Sequence, residues 1–201
     1  MNHTCRFPDV ARVLYDALAE DGFYRTLESA ASADAETAQQ AMIRYLDYSM
    51  IEADEYGQLC FPADRAAGAA IWSKALDTAI QKSVSAQKKA FITEQMGTHC
   101  CEVYAAITAF MHSHTMTVVE AECWYLSIIG ISPALQGQGI GGEMMKAVLE
   151  QTDRAGIATF LETFSPRSEP FYERLGYVNR ARFFEPTIGA SYAVMRRSPA
   201  S

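Results

Sequence analysis

The sequence predicts a layered domain that combines α-helices and β-strands, of the α/β or α+β class. Residues 10–19, 35–55 and 74–114 have a helical pattern, whereas residues 122–197 alternate between short apolar runs and amphipathic segments. A chain of 201 residues, 49% of them hydrophobic, is long enough for one domain of good size but not for two. We therefore expect a single domain over residues 1–201, with a helix-rich half (1–121) and a mixed half (122–197).

Two helices are predicted in the first third of the chain, over residues 10–19 and 35–55. Ser32 or Asp34 could cap the second helix, and Gly57 lies just past its end. The second helix repeats apolar residues on one face: Ala38, Met42, Tyr45, Leu46 and Met50. Two short apolar runs follow, 58–61 and 66–72, and the polar stretch between them predicts a hairpin.

Residues 74–114 predict two more helices, with a break near Gly97. Such helices either cover the sheet or form a wall of a substrate pocket, and both interpretations stay open. The remaining elements are strand 122–131, helix 140–155 ended by Gly156, strand 157–164, a short helix from Ser168 or Glu169 to Leu175 ended by Gly176, and strands near 177–184 and 191–196.

Charge and cysteine content exclude several classes of protein. A formal net charge of -7 disfavours binding to nucleic acid or to an anionic membrane. The cysteines are odd in number, without C-x-x-C pairs or zinc-type spacing to histidine: Cys5, Cys60, Cys100, Cys101 and Cys123. We therefore expect reduced thiols and no metal site. No secretory signal or membrane-spanning apolar run is evident, so a cytoplasmic protein is expected.

The most informative motif is the run Gly137-Gln138-Gly139-Ile140-Gly141-Gly142, between a predicted strand and a predicted helix. Such a turn presents free backbone N–H groups at the positive end of a helix. It therefore predicts an anion site, most plausibly for a pyrophosphate.

Three other interpretations of this turn are weaker. It matches the G-x-G-x-x-G of dinucleotide-binding folds, with Glu162 at the end of the next strand, but too little sequence follows to complete a doubly wound sheet. A P-loop is excluded because Glu143 stands where lysine is required. A turn that binds nothing would not need four glycines, because each one costs backbone entropy.

The spacing Gln136-x-x-Gly139-x-Gly141 matches the Q/R-x-x-G-x-G/A signature for acetyl-CoA, and in these residues the chain resembles the GNAT superfamily of N-acetyltransferases. Residues 161–177, LETFSPRSEPFYERLGY, resemble a block of the puromycin N-acetyltransferase branch. The resemblance covers the chain from about residue 122 onward. It implies a mixed, mostly antiparallel central sheet flanked by helices, acetyl-CoA as cosubstrate, and acetyl transfer to a primary amine of a small molecule by direct attack on the thioester.

The resemblance also implies where acetyl-CoA binds. The strand before the turn would separate from its neighbour and offer backbone groups to the pantetheine arm, with Ile129 and Ile131 as the expected contacts. A β-bulge is expected where this strand ends, at residues 130–133. The pyrophosphate would be held by the residues of the turn: Gln136, Gly137, Gln138, Gly139, Ile140, Gly141 and Gly142. With so many glycines, no Cβ would keep the phosphate away.

Tyr172 matches the position of the general acid that protonates the departing thiolate in this superfamily; the alternative is a packing residue, as is common for a tyrosine in a short amphipathic helix. Glu162 is the candidate general base, acting directly or through water; alternatively, neighbouring backbone or Arg167 satisfies its charge. His112 and His114 are further candidates for the base, because histidine titrates near neutral pH.

Several positions depart from the superfamily pattern. Gln138 replaces a usual lysine or arginine, which predicts weaker and less salt-sensitive binding of the cofactor. Ser168 stands where the puromycin branch usually has asparagine, and the usual first strand is not visible before residue 10. Specificity is set by the N-terminal half, so puromycin is not implied as the substrate. Two other functions stay open: a non-catalytic acyl-CoA-binding module, and a protein N-acetyltransferase, which would need an open groove.

Overall fold

A computed structural model describes residues 3–200, in which helices cover both faces of one six-stranded sheet. The helices are α1 (Pro8–Ala17), α2 (Gly22–Ala31), α3 (Ala35–Tyr56), α4 (Thr78–Met96), α5 (Thr98–Thr115), α6 (Ile140–Arg154) and α7 (Glu169–Arg174). The strands are β1 (Gln58–Cys60), β2 (Gly68–Ser73), β3 (Trp124–Ile131), β4 (Thr159–Thr163), β5 (Val178–Glu185) and β6 (Ala190–Arg197). Short 3-10 turns occupy Arg65–Ala67 and Pro133–Leu135.

The sheet has the strand order β1-β2-β3-β4-β6-β5. All neighbouring strands are antiparallel except β3 and β4, which are parallel and are joined through α6. This arrangement confirms the mixed, mostly antiparallel sheet and the hairpin β1–β2. It also places the carboxyl ends of β3 and β4 at the same edge of the sheet, and the glycine-rich turn follows β3.

The N-terminal half is helical, as predicted, but it contains one helix more than the sequence pattern assigned. The additional helix, α2, is capped by Asp21, whose side chain accepts the N–H of Phe23 at 2.9 Å. Asp34, not Ser32, caps α3 by accepting the N–H of Thr37 at 2.8 Å. In the part of the chain that the structure describes, no strand precedes α1.

Three clusters of buried residues pack against the sheet, two on one face and one on the other. Helices α1 to α5 cover one face, with Leu14, Leu46 and Ile92 completely or almost completely buried. Helices α6 and α7 cover the other face, where Met145 and Tyr177 are buried. The domain therefore has three layers, helix–sheet–helix.

Helix α1 packs against β3 at very short range. A Cβ on Gly130 would lie 2.7 Å from Cδ2 of Leu14 and 3.1 Å from Cβ of Ala17, so a larger residue here would force side chains of α1 to shift. The contact places the loop after α1 beside the end of β3. Within residues 3–200, no helix is both long and apolar enough to span a bilayer.

Candidate active site

A cleft of about 1350 Å³ opens where β3 and β4 separate. The two strands pair only between residues 124–126 and 159–161. Beyond this point β3 continues to pair with β2 as far as Ile131, but its other edge has no strand beside it. Unpaired backbone groups on that edge are obligatory hydrogen-bonding groups, so the cleft can bind an extended polar ligand.

A β-bulge in β3 lies at the point where the strands part. Ile71 is opposite Ile128 and Trp72 is opposite Leu126, so Ser127 is an extra residue on β3. Its hydroxyl donates to the carbonyl of Ile71 at 3.1 Å. The bulge expected at residues 130–133 was therefore misplaced: Pro133 begins a 3-10 turn there, so the strand ends instead of bulging.

The backbone of Ile131 faces the cleft. The N–H of Ser132 donates to Ala67 on the β2 side, so the carbonyl of Ile131, in the same peptide unit, points the opposite way. That carbonyl accepts the side-chain amide of Gln136 at 3.1 Å. Because backbone groups alternate along a strand, Ile129 presents its groups to the same edge. Both isoleucines line the cleft.

The glycine-rich turn forms one end of the cleft. Gly137 and Gly139 have φ of 80° and 84°, in the region that favours glycine, and a Cβ on either would meet nothing within 4 Å. Gly139 precedes α6, and no side chain caps that helix. The free N–H groups of the first turn of α6 are therefore available to an anion.

Six of the seven residues expected at this turn line the cleft, and Gln138 does not. Gln138 is exposed on the outside of the turn. Two arginines that the sequence pattern did not assign to phosphate binding, Arg167 and Arg174, are exposed and line the cleft.

Glu162, on β4, lies inside the cleft, and two hydroxyl groups hold its carboxylate. Thr115, at the end of α5, donates a short hydrogen bond to Oε1, and Tyr125 donates to Oε2 at 2.9 Å. Burial raises the pKa of Glu162, while these hydrogen bonds and the charge of His112 lower it part of the way back. The alternative partner, Arg167, makes no ion pair with it.

The two histidines differ in position. His112 is exposed, lines the cleft, and is near enough for its charge to act on Glu162. His114 stacks on Phe110 at 4.0 Å between ring centroids, bonds to the carbonyl of the same residue, and does not line the cleft. Only His112 therefore has access to a bound substrate.

Tyr172, on α7, lines the cleft from the side opposite the helical N-terminal half. Its side chain is only 8% exposed and makes edge contacts to Phe171 and Tyr177. Burial, Tyr177 and Asp21 all raise the pKa of Tyr172. The phenol is therefore protonated at neutral pH, as a proton donor must be.

Helix α7 has only six residues, and side-chain contacts hold it in place. Arg182 on β5 bonds to both carboxylate oxygens of Glu169, at 2.7 and 2.5 Å. Thr159 donates to the hydroxyl of Tyr177 at 2.8 Å. Ser168 stands at the position where the puromycin branch usually has asparagine. Its hydroxyl donates to the hydroxyl of Ser165 at 3.1 Å, and no side chain caps the start of α7.

The other end of the cleft is aromatic and acidic. Five tyrosines line the cleft in addition to Tyr172: Tyr24, Tyr45, Tyr56, Tyr104 and Tyr125. Their helices and strand meet only in the folded chain, so no sequence motif could have grouped them. Asp21, at the start of α2, is a further acidic group here, and burial raises its pKa.

Lys88 is a buried cation in this aromatic end. Its ammonium donates to Ser49 at 2.8 Å and lies 3.6 Å from Oε1 of Glu52. It also lies over the ring of Tyr45, at 4.8 Å from the centroid. Burial lowers the pKa of Lys88, with Glu52 acting in the opposite direction. Lys88 and Glu52 are close enough for their charges to offset each other.

Comparison with known proteins identifies the superfamily. Residues 74–187 match the family model described as "Acetyltransferase (GNAT) domain", which is more than half of the chain. The match includes α4, α5, the glycine-rich turn, Glu162 and Tyr172.

Solved structures share the fold. A Corynebacterium glutamicum ATCC 13032 protein, described as histone acetyltransferase HPA2 and related acetyltransferase, is 19% identical, with a TM-score of 0.63 over 97% of this chain and 92% of that one. A second protein, described as an acetyltransferase, is 16% identical, with a TM-score of 0.51 over 98% of each chain. PH1933 from Pyrococcus horikoshii OT3 is 10% identical, with a TM-score of 0.54 over 100% of this chain and 96% of that one.

The family match, the sheet that opens between β3 and β4, and the glycine-rich turn before α6 agree with one another. The chain belongs to the GNAT acetyltransferase family and is an N-acetyltransferase, whose fold implies acetyl transfer that depends on acetyl-CoA.

Proposed function

We propose that the protein transfers the acetyl group of acetyl-CoA to the primary amine of a small molecule, with Glu162 as general base and Tyr172 as general acid. The observation that carries the proposal is that both side chains line the same cleft as the turn before α6. Direct attack by an amine needs a proton acceptor near the amine and a proton donor near the departing sulfur. One cleft that contains both groups supports that chemistry.

The cleft fits acetyl-CoA. The turn from Gln136 to Gly142 offers N–H groups and open space for a pyrophosphate, and Arg167 and Arg174 offer positive charge. The free edge of β3 offers the backbone groups of Ile129 and Ile131 to the pantetheine arm. Acetyl-CoA, when bound, would supply the activated thioester, and this edge would orient it.

Glu162 is suited to take a proton from an incoming ammonium group. Its carboxylate is held by Thr115 and Tyr125, so little reorganisation is needed when a proton reaches Oε1 or Oε2. The raised pKa brings this carboxylate closer to the operating pH, where a general base is most effective. His112 lines the same wall and offers the proton a route to solvent.

Tyr172 is suited to give a proton to the departing thiolate. Its phenol is protonated at neutral pH, and the Arg182–Glu169 contact holds α7 against the sheet. A phenol near a forming thiolate lowers the barrier by supplying that proton in the transition state.

The aromatic and acidic end of the cleft, where the acceptor would bind, favours a small amine over a protein chain. The loop after α1 and parts of α3, α4 and α5 line it, so the acceptor is enclosed on the side of the helical half. The tyrosines provide ring faces for a cation, and Asp21 and Glu162 provide negative charge. The resemblance of residues 161–177 to the puromycin branch also supports a small-molecule acceptor.

The domain division and the compartment are parts of the same proposal. Residues 1–121 would bind the acceptor, and residues 122–197 would bind acetyl-CoA and carry the catalytic pair. All five cysteines are free thiols, which supports a reducing compartment such as the cytoplasm.

The test is calorimetric titration of the purified protein with acetyl-CoA, followed by assay of CoA release against three sets of acceptors: small primary amines, the same amines N-methylated, and lysine-containing peptides. Micromolar binding, about -8 kcal/mol, together with turnover of small primary amines, supports the proposal. Binding without CoA release from any acceptor would favour a non-catalytic module. Turnover of peptides alone would favour a protein acetyltransferase.

A further inference from the structure

Three metal-ligating side chains that are distant in sequence meet outside the cleft. The segment before α1 crosses the middle of α3 and brings His3 and Cys5 beside Asp47. The imidazole nitrogen, the thiol sulfur and a carboxylate oxygen all lie within 4.8 Å of one another. Bonds of roughly 2.0–2.3 Å to one tetrahedral zinc ion place ligand atoms about 3.3–3.8 Å apart. Binding would therefore draw the widest pair together by up to about 1 Å and lengthen the 2.7 Å contact between His3 and Asp47.

Asp47 is already oriented for a ligand. It is completely buried, and its Oδ1 accepts the backbone N–H groups of Arg6 at 2.9 Å and Phe7 at 2.6 Å. Its Oδ2 is left to face His3, whose Nε2 lies 2.7 Å away. Metal-binding carboxylates and histidines are commonly fixed by such outer hydrogen bonds, because these set the direction of the ligand atom.

His3 is likewise held in place. Its ring makes an edge contact with Phe91 at 5.1 Å between centroids, and only 13% of its side chain is exposed. Cys5 is partly exposed, which leaves an ion and a water molecule access to the group. The set therefore consists of one rigid buried carboxylate, one packed imidazole and one accessible thiol.

We propose that His3, Cys5 and Asp47 form a binding site for a zinc-type divalent transition-metal ion. Nitrogen, sulfur and oxygen together favour zinc over calcium or magnesium, which prefer oxygen ligands. The ion binds as the Cys5 thiol releases its proton to solvent and forms the metal–sulfur bond. With three protein ligands, the fourth position is open to water.

A bound ion would connect the segment before α1 to α3, the helix that lines the aromatic and acidic end of the cleft. Asp47 lies on α3, which also carries Tyr45, Ser49 and Glu52. Without an ion, the imidazole is connected to this helix by its hydrogen bond to Asp47 and by a ring contact with Tyr48. Metal binding therefore stabilises the fold and does not supply a group to the acetyl-transfer reaction.

The test uses the full chain, prepared without a polyhistidine tag and freed of metal with a chelator. Zinc is titrated in competition with a chromophoric chelator, and cobalt is used to detect sulfur-to-metal charge transfer. We expect one zinc ion per chain, a loss of affinity of at least about tenfold in Cys5→Ala and in His3→Ala, and an unchanged affinity in Cys101→Ala. Cys101 is the matched control because it is also partly exposed but lies on α5.

Melting temperatures provide an independent readout. At a hundredfold excess over the Kd of the unsubstituted chain, zinc should raise the melting temperature of that chain by about 5 °C or more, and should raise that of Cys5→Ala by about half as much or less. Circular dichroism of the metal-free variants checks that they fold. Absence of zinc binding at micromolar concentrations, or equal binding by Cys5→Ala, would overturn the proposal. Neither measurement needs acetyl-CoA, so the result is independent of the proposed function.

Discussion

The hydroxyl of Tyr125 donates a hydrogen bond of 2.9 Å to Oε2 of Glu162, from the strand directly beside it in the sheet. This bond forms just before β3 and β4 separate, so the proposed base is held at the point where the cleft begins. Because the donor stabilises the charged carboxylate, it lowers the pKa that burial raises.

Replacing Tyr125 with Phe should therefore move the acidic limb of the pH profile. The loss of this donor raises the pKa of Glu162 further, so the carboxylate form appears only at higher pH. We expect the rise of kcat/KM with pH to shift to more alkaline values, by about half a unit to one unit. Tyr15→Phe is the control, because Tyr15 bonds to Glu28 away from the cleft. A profile of Tyr125→Phe identical to that of the control would contradict the proposed role of this bond.

Glu162→Gln should reduce activity and increase stability at the same time. The raised pKa of Glu162 means that the folded chain holds its proton more tightly than the unfolded chain does. The associated stability is present below the ordinary pKa of glutamate and is lost as pH rises through the raised value. Above that pH the buried charge opposes folding, and glutamine removes it.

We expect the melting temperature of Glu162→Gln to exceed that of the unsubstituted chain by about 2–5 °C at pH 8, with the difference shrinking as pH falls. CoA release should fall by about a hundredfold or more. Glu150→Gln, on the exposed side of α6, should change neither quantity. A Glu162→Gln protein that is less stable at pH 8 would show that the charge is compensated in the folded chain.

Substitution of the two glycines that flank α6 allows the effect of backbone strain on stability to be measured separately from the effect on ligand binding. Gly139, before the helix, and Gly156, after it, have φ of 84° and 68°, and a Cβ on either would meet nothing within 4 Å. Replacing either with alanine should cost about 1–2 kcal/mol of unfolding free energy, because both must keep a left-handed conformation.

Only Gly139 faces the cleft, so Gly139→Ala should also weaken acetyl-CoA binding by about tenfold or more, whereas Gly156→Ala should leave it unchanged. Denaturant unfolding and calorimetric titration measure the two effects separately. Equal affinities in the two variants would mean that the phosphate does not approach Gly139.

Local patterns predicted most of the fold. The periodicity of α3, the break at Gly97 and the alternation of strand and helix after residue 122 are encoded by neighbouring residues, and the structure contains each of them. The helix α2 has only one fully buried residue, Leu27, which is too weak a signal for a periodic pattern. The bulge at Ser127 follows from the pairing of two strands and has no local signature.

The residues of the candidate site also fall into two groups, those that local sequence motifs indicate and those that only tertiary packing brings together. The residues of the glycine-rich turn, Glu162 and Tyr172 lie in one contiguous stretch, so motifs could group them, and all except Gln138 line the cleft. Tyr24 and Glu52 come from separate helices that only tertiary packing brings to the cleft. The group formed by His3, Cys5 and Asp47 was missed for the same reason, because 44 positions separate His3 from Asp47.

The most direct test of the proposed mechanism compares Tyr172→Phe with the unsubstituted chain in acetyl-CoA titration and in CoA release with a primary amine substrate. The substitution removes only the proton donor and keeps the ring that packs against Phe171 and Tyr177. We predict unchanged affinity for acetyl-CoA and a kcat lower by about 10²–10⁴-fold. Unchanged binding together with unchanged turnover would contradict the assignment of Tyr172 as the general acid.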